Sequence, residues 1–151
     1  MTVDFKVSNV RFVASTSDSI FDAIEDALTS RSRWPNPYLY FANSCHSGKI
    51  EIGQKLWLYI SRFGLPRMEM KIIEIEKPNK IKVQYVGGDC LGFGEFKLTP
   101  SGKHTEVVFY WEGALYSKRI QLLGKLLPVG RLHWLIVNLV LRNLERHIAR
   151  S

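Results

Sequence analysis

At 151 residues and 46% hydrophobic content, the chain carries enough apolar side chain for one domain, residues 1–151, around one core, without covalent staples. Its two cysteines, Cys45 and Cys90, have neither CxxC spacing nor a companion histidine cluster, which argues against a zinc site or a disulfide framework and for two reduced thiols, with no metal or cofactor implied. The formal charge of +7 is spread over scattered Lys and Arg with no basic run interleaved with aromatics, so nucleic acid is not an expected partner.

Residues Val3 to Ala14 read as a first strand: Val3, Phe5 and Val7 alternate with polar neighbours, then Val10 and Phe12 take the opposite phase. That slip near Ser8-Asn9 predicts a bulge or irregular pairing. The same alternation lacks the unbroken apolar run of a secretory leader, and the expected location is the cytoplasm. Ser15-Thr16-Ser17-Asp18 offers several N-cap side chains, and Ile20, Phe21, Ile24, Ala27 and Leu28 recur at helical spacing, predicting a helix over Asp18 to Thr29. Trp34, between two arginines and two prolines, anchors the loop that follows.

From Asn43 to Gly113, turn signals at Ser47-Gly48, Gly53, Gly64-Leu65-Pro66, Lys77-Pro78-Asn79, Gly87-Gly88-Asp89 and Pro100-Ser101-Gly102 separate six strand-like segments. These are Lys49 to Ile52, Lys55 to Arg62, Arg67 to Glu76, Lys80 to Val86, Leu91 to Thr99 and Thr105 to Gly113, a meander of hairpins. Ile81, Val83 and Tyr85 share one face of their strand, as do Val107, Phe109 and Trp111 when Glu106 faces water. Met68, Met70 and Ile72 oppose Glu69 and Lys71, but Ile73 to Glu76 reverse the phase, which predicts a bulge that bends the sheet. The last segment, Ser117 to Ser151, is broken at Pro128-Val-Gly130 into a short helical piece and a main helix from Pro128 to Ala149. It is too short an apolar run, broken by His133 and Asn138, to span a membrane.

Read in this order, Ser17-Asp-Ser-Ile-Phe-Asp-Ala-Ile followed by Arg33-Trp34-Pro35, Gly53 opening a strand, Glu74-Ile-Glu-Lys-Pro, and Thr99-Pro-Ser-Gly-Lys-His-Thr105-Glu-Val-Val resemble the START-like, or SRPBCC, superfamily of polyketide cyclases and lipid-transport proteins across nearly the whole chain. The resemblance implies an α+β helix-grip (START/Bet v 1-like) fold of order β-α-β6-α, in which a curved antiparallel seven-stranded sheet wraps a long C-terminal helix over a hydrophobic tunnel. It implies no particular reaction, since its members range from carriers to enzymes.

No nucleophile elbow, phosphate loop or metal-spaced set appears, and Gly92-Phe-Gly94 reads as a strand bend or a close backbone approach. His46, His104, His133 and His147 are widely separated; His104 in a hairpin and His147 near a helix end read as solvated, as does Arg62 at the end of its strand, where carboxylate binding is the competing role. Glu95 and Glu112 are candidate acids at a rim, although the phase of the last strand places Glu112 outside. His133 differs: on the apolar helix it either faces inward, where it can hydrogen-bond a carbonyl or phenol or act as acid or base, or faces outward or bonds a backbone carbonyl. The expected cavity lining is Met68, Met70, Tyr85, Phe96, Phe109 and Trp111 from the strands, with His133 and Val137 from the helix; as individual residues, core packing is the competing role.

The function expected is therefore binding, or transport, of an apolar small molecule such as a lipid, isoprenoid or polyketide-like compound. A cyclase or aromatase using the same cavity is the alternative, though the absence of a catalytic motif weighs against an enzyme. A second alternative is docking to a membrane or partner, or to a second copy as a homodimer: Lys118, Arg119, Lys125, Arg131, Arg142, Arg146 and Arg150 are opposed only by Glu145, and a basic, apolar helix suits peripheral contact with an anionic membrane.

Overall fold

The computed structural model describes residues 5–43, 48–60 and 66–151. The expected start of the first strand at Val3, Cys45, His46, Arg62 and the turn at Gly64-Leu65 lie outside the described residues. The first strand, β1 (Phe5–Val13), leads to helix α1 (Ser17–Leu28), which carries the chain to β2 (Leu39–Ala42). There follow β3 (Lys55–Ile60), β4 (Arg67–Glu76), β5 (Lys80–Gly88), β6 (Cys90–Ser101), β7 (His104–Leu115), a short helix α2 (Lys118–Leu126) and a long one, α3 (Val129–Ala149). All seven strands form one antiparallel sheet in the order β1-β7-β6-β5-β4-β3-β2, curled into a half-barrel.

The Thr16 side chain caps α1 by accepting from the Ser19 amide at 3.2 Å. Ile20, Phe21, Ile24, Ala27 and Leu28 form one buried stripe, and each of the larger ones contributes about 1.5–3 kcal/mol by leaving water. The Trp34 indole N–H donates to the Ala23 carbonyl at 2.8 Å, so this ring does fasten the loop to α1.

Two expectations are corrected. The bulge near Ser8-Asn9 is absent: β1 pairs with β7 residue for residue, from Phe5 opposite Gly113 to Val13 opposite Thr105. The strand keeps its phase by turning a polar residue inward, since Asn9 is buried and its Nδ2 donates to the Trp134 carbonyl on α3 at 2.9 Å. Arg11, on the same face, reaches Glu145 of α3 at 2.8 Å, while Val10 and Phe12 stand exposed. Nor is Lys49 to Ile52 a strand; β2 is Leu39–Ala42 instead. The alternation of Ile50 and Ile52 is cut off by the turn at Gly53 (φ +89°), and Ile50 is held by its amide donating to Glu25 at 3.1 Å.

The bulge in β4 is present, with Ile73 skipped between the pairs Ile72–Val83 and Glu74–Lys82. A second shift lies between Glu69 and Met70, and register shifts of this kind raise the local twist and curvature of a ribbon. The two C-terminal helices meet at 96°, with Pro128 at the N-terminus of α3. Val137, Val140, Leu141 and Leu144 of α3 are buried, but its first turns leave Leu132, Trp134 and Leu135 exposed. No single helix among the described residues is long and apolar enough to cross a membrane.

Asp89, at the turn between β5 and β6, is 1% exposed and holds several elements together. It accepts from the Arg67 amide at 2.8 Å, from the Ser117 hydroxyl at 2.6 Å and from the Arg119 guanidinium at 3.2 Å. Ser117 in turn caps α2 by accepting from the Ile120 amide.

Candidate ligand cavity

Between the concave face of the sheet and the two C-terminal helices lies a cavity of about 220 Å³. Side-chain alternation along the strands builds its floor: Met68 and Met70 from β4, Ile81, Val83 and Tyr85 from β5, Phe96 from β6, and Phe109 and Trp111 from β7. His133 and Val137 of α3 look down on it. All eight residues singled out in the sequence thus line the same cavity, six on its floor and two on its roof. Walls without a prior assignment come from Leu28 of α1, from Leu39, Phe41, Leu58 and Ile60 of β2 and β3, and from Ile120, Leu123 and Leu127 around α2. The recurrence of Ile120, Leu123 and Leu127 at intervals of three and four was the signal for the last group.

An apolar cavity of about 150 Å³ is dry and admits a molecule the size of benzene. This one is larger and is lined by carbon apart from a few atoms, so it suits a ring system or a short acyl segment. One glycine shapes it. An ideal Cβ on Gly94 would sit 2.8 Å from the Tyr85 hydroxyl and 3.3 Å from the Phe109 ring, so the missing side chain is what gives the phenol its space. Gly92, at φ +142°, would place a Cβ 2.0 Å from the Glu112 carbonyl, and the close backbone approach read from the sequence is present there.

His133 faces inward. Its ring stacks on Trp111 at 3.9 Å and 9°, and Trp111 also stacks on Phe5 at 5.0 Å. The imidazole Nδ1 is buried without a hydrogen-bond partner among the described residues. Burial lowers the imidazole to about 4, so at neutral pH the ring is uncharged, with one donor and one acceptor nitrogen. Tyr85, the second polar group, makes no hydrogen bond among the described residues; burial, with a smaller contribution from Cys90, raises its hydroxyl well above the usual phenol range. The Cys90 thiol is pushed up to about 12 by burial and by the neighbouring Asp89 charge, so it is no nucleophile at pH 7.

The candidate rim acids do not reach the cavity. Glu112 lies on the outer face, where it accepts from the Tyr110 hydroxyl at 2.6 Å, and Glu95 is opposite Tyr110 on that same face. No group of three His, Cys, Asp or Glu among the described residues could hold a metal ion. A separate, polar hollow of about 370 Å³ lies where the loop at Arg33, Trp34 and Asn36 meets Arg146, His147 and Arg150 of α3.

The buried imidazole has a measurable consequence. Unfolding returns His133 to about 6.5, so the unfolded chain binds more protons than the folded one below that pH. The stability that comes from keeping the ring neutral is complete above pH 6.5 and is lost as pH falls through about 4. His133→Phe, which keeps a ring on Trp111, is expected to flatten the dependence of the urea midpoint on pH across this window. An unchanged slope would mean that the imidazole is not held neutral.

No family model and no curated protein matches this chain. Solved structures do match. A protein of Thermus thermophilus is 18% identical with a TM-score of 0.74, the match covering 97% of this chain and 98% of that one. A START superfamily protein from Mycobacterium smegmatis is 16% identical with a TM-score of 0.72, covering 96% and 97%. Norcoclaurine synthase from Thalictrum flavum, solved with dopamine and hydroxybenzaldehyde, is 15% identical with a TM-score of 0.64, covering 97% and 87%. The chain has the START-like, SRPBCC helix-grip fold, in the arrangement shared with Bet v 1-like proteins.

Proposed function

We propose that this protein binds, and carries, an apolar small molecule that bears a polar group, held in the cavity between the sheet and α3. One observation carries the reading: a cavity of about 220 Å³ with a nearly all-carbon wall is bordered by the polar side chains of Tyr85 and His133, and the imidazole Nδ1 is buried without a partner among the described residues. Burial of ligand surface supplies affinity at about 25 cal/mol per Å² before ordering costs. A hydroxyl or carbonyl on the ligand satisfies Tyr85 or the imidazole, which otherwise bear the cost of lost hydration. The START-like fold supports the reading, since hydrophobic ligands are common in that superfamily.

Native mass spectrometry of the protein purified from its own cells is expected to show a retained apolar mass. Tyr85→Phe and His133→Leu are each expected to weaken its binding about fivefold, the value of one hydrogen bond of about 1 kcal/mol. Absence of a retained mass together with no uptake of an apolar fluorescent probe would sink the proposal.

The same two side chains favour a second reading, an enzyme of the cyclase or aromatase kind. A neutral imidazole can accept a proton from an acidic ligand carbon while the phenol donates to its carbonyl oxygen. Conversion of the retained molecule on incubation, lost in His133→Leu, separates the enzyme from the carrier.

A further inference from the structure

Of the exposed large hydrophobic residues among those described, most fall in one stretch around the bend between α2 and α3: Tyr116, Leu122, Leu123, Leu126, Leu127, Leu132, Trp134 and Leu135. Leu122 and Leu126, one turn apart on α2, are 60% and 74% exposed. An apolar ridge of this extent on a protein surface marks an interaction site. Charge selects the occupant. Residues 113–144 contain no Asp or Glu. Lys118, Lys125 and Arg131 are exposed on or beside the ridge and have no ion-pair partner among the described residues. Arg119 alone is engaged, by Asp89. Two copies joined symmetrically through this face would bring both sets of cations together, which disfavours a second copy. An anionic bilayer meets both requirements, taking the leucines into its acyl boundary and the cations at its headgroups, with the Trp134 ring at the interface between them.

We infer that α2 and the first turns of α3 form a docking surface for an anionic membrane. Leu123, Leu127 and Leu132 belong both to this surface and to the cavity wall. Docking therefore sets the cavity against the acyl layer, where an apolar ligand can pass between protein and bilayer without crossing water. This last point rests on the ligand-binding reading; the docking itself does not. The sequence pointed to Arg142, Arg146 and Arg150 as well, but Arg146 and Arg150 stand at the far end of α3, about 20 Å or more from its first turn at 1.5 Å per residue.

The test is flotation of this chain, freed of ligand, with phosphatidylcholine vesicles prepared with and without phosphatidylglycerol. Binding is expected only with the anionic lipid, and weaker at high salt. Leu122→Glu/Leu126→Glu changes exposed positions and is expected to reduce the bound fraction about tenfold or more, and Lys125→Glu/Arg131→Glu to reduce it similarly. Arg146→Ala/Arg150→Ala is expected to leave it unchanged. Circular dichroism and uptake of an apolar probe are read on every variant, so a failure of ligand binding is seen separately from a failure of docking. The inference is overturned if the unaltered protein ignores anionic vesicles, or if Leu122→Glu/Leu126→Glu binds them normally. It is equally overturned if sedimentation shows this face buried in a dimer that the leucine variant splits.

Discussion

Val137→Trp is expected to abolish uptake of apolar ligands while leaving the fold in place. Val137 is buried on α3 and its side chain borders the cavity, so an indole at this position grows into empty space rather than into packed neighbours. A ligand that loses about 100 Å² of burial loses about 2.5 kcal/mol, close to a hundredfold in affinity. The folded state itself should hold or gain up to about 1 kcal/mol, because filling a void restores contacts that its walls lack. Titration with an apolar fluorescent probe measures the first quantity and thermal unfolding the second. Undiminished uptake by a well-folded Val137→Trp protein would show that ligands do not enter here.

The largest effect on stability is expected at Asp89. Asp89→Ala leaves the Arg67 amide, the Ser117 hydroxyl and the Arg119 guanidinium without their shared acceptor, in a position that is 1% exposed. Removing one partner of a buried charge pair costs about 3–5 kcal/mol, and the half-exposed Arg119 reduces this to about 2–3 kcal/mol. For a chain of this size that lowers Tm by about 6–10 °C. Burial alone would push the Asp89 carboxyl up, but hydrogen bonds from Ser117, Arg119 and the Arg67 amide outweigh it and hold the carboxyl below its usual range. A depressed folded-state value means that this stability is present above the unfolded value of about 3.9 and is lost as pH falls below it. Asp89→Asn should therefore lie closest to the unaltered protein in strong acid and furthest from it at neutral pH. Equal Tm values at pH 7 would refute the role given to this carboxylate.

What the sequence made legible follows from where its signals are local. The alternations Ile81-Val83-Tyr85 and Val107-Phe109-Trp111 placed their strands and their inner faces, and the phase reversal after Ile72 located a bulge. At Asn9 the same logic failed, because a buried amide bonded to a helix carbonyl is indistinguishable, by hydropathy, from a residue facing water. Leu39–Ala42 was missed for a different reason: four residues behind a Pro-rich loop offer too little alternation to stand out. Asp89 looked like a turn residue, since its partners are 22, 28 and 30 positions away.

The cavity lies between these cases. Its lining could be read from strand phase and helix spacing, since the eight residues named from the sequence all border it, from the sheet below and α3 above. Its volume could not, because it is the small difference between the space the curled sheet encloses and the side chains that fill it. The direction of His133 was equally hidden. It depends on how α3 is rotated over Trp111, and that is set by Pro128, by the anchoring of the Trp134 carbonyl at Asn9 and by the buried stripe from Val137 to Leu144.

The cover of the concave sheet follows the strands in chain order. Strands β3 to β7 can zip into hairpins as each emerges from the ribosome, yet their greasy inner faces acquire a lid only when residues 120–144 have followed. Until then the nascent chain is an uncovered apolar trough, the kind of surface that chaperones hold and that self-associates when they do not. A chain cut off within α2 would thus be prone to clumping, whereas one that includes α3 closes over its own hazard.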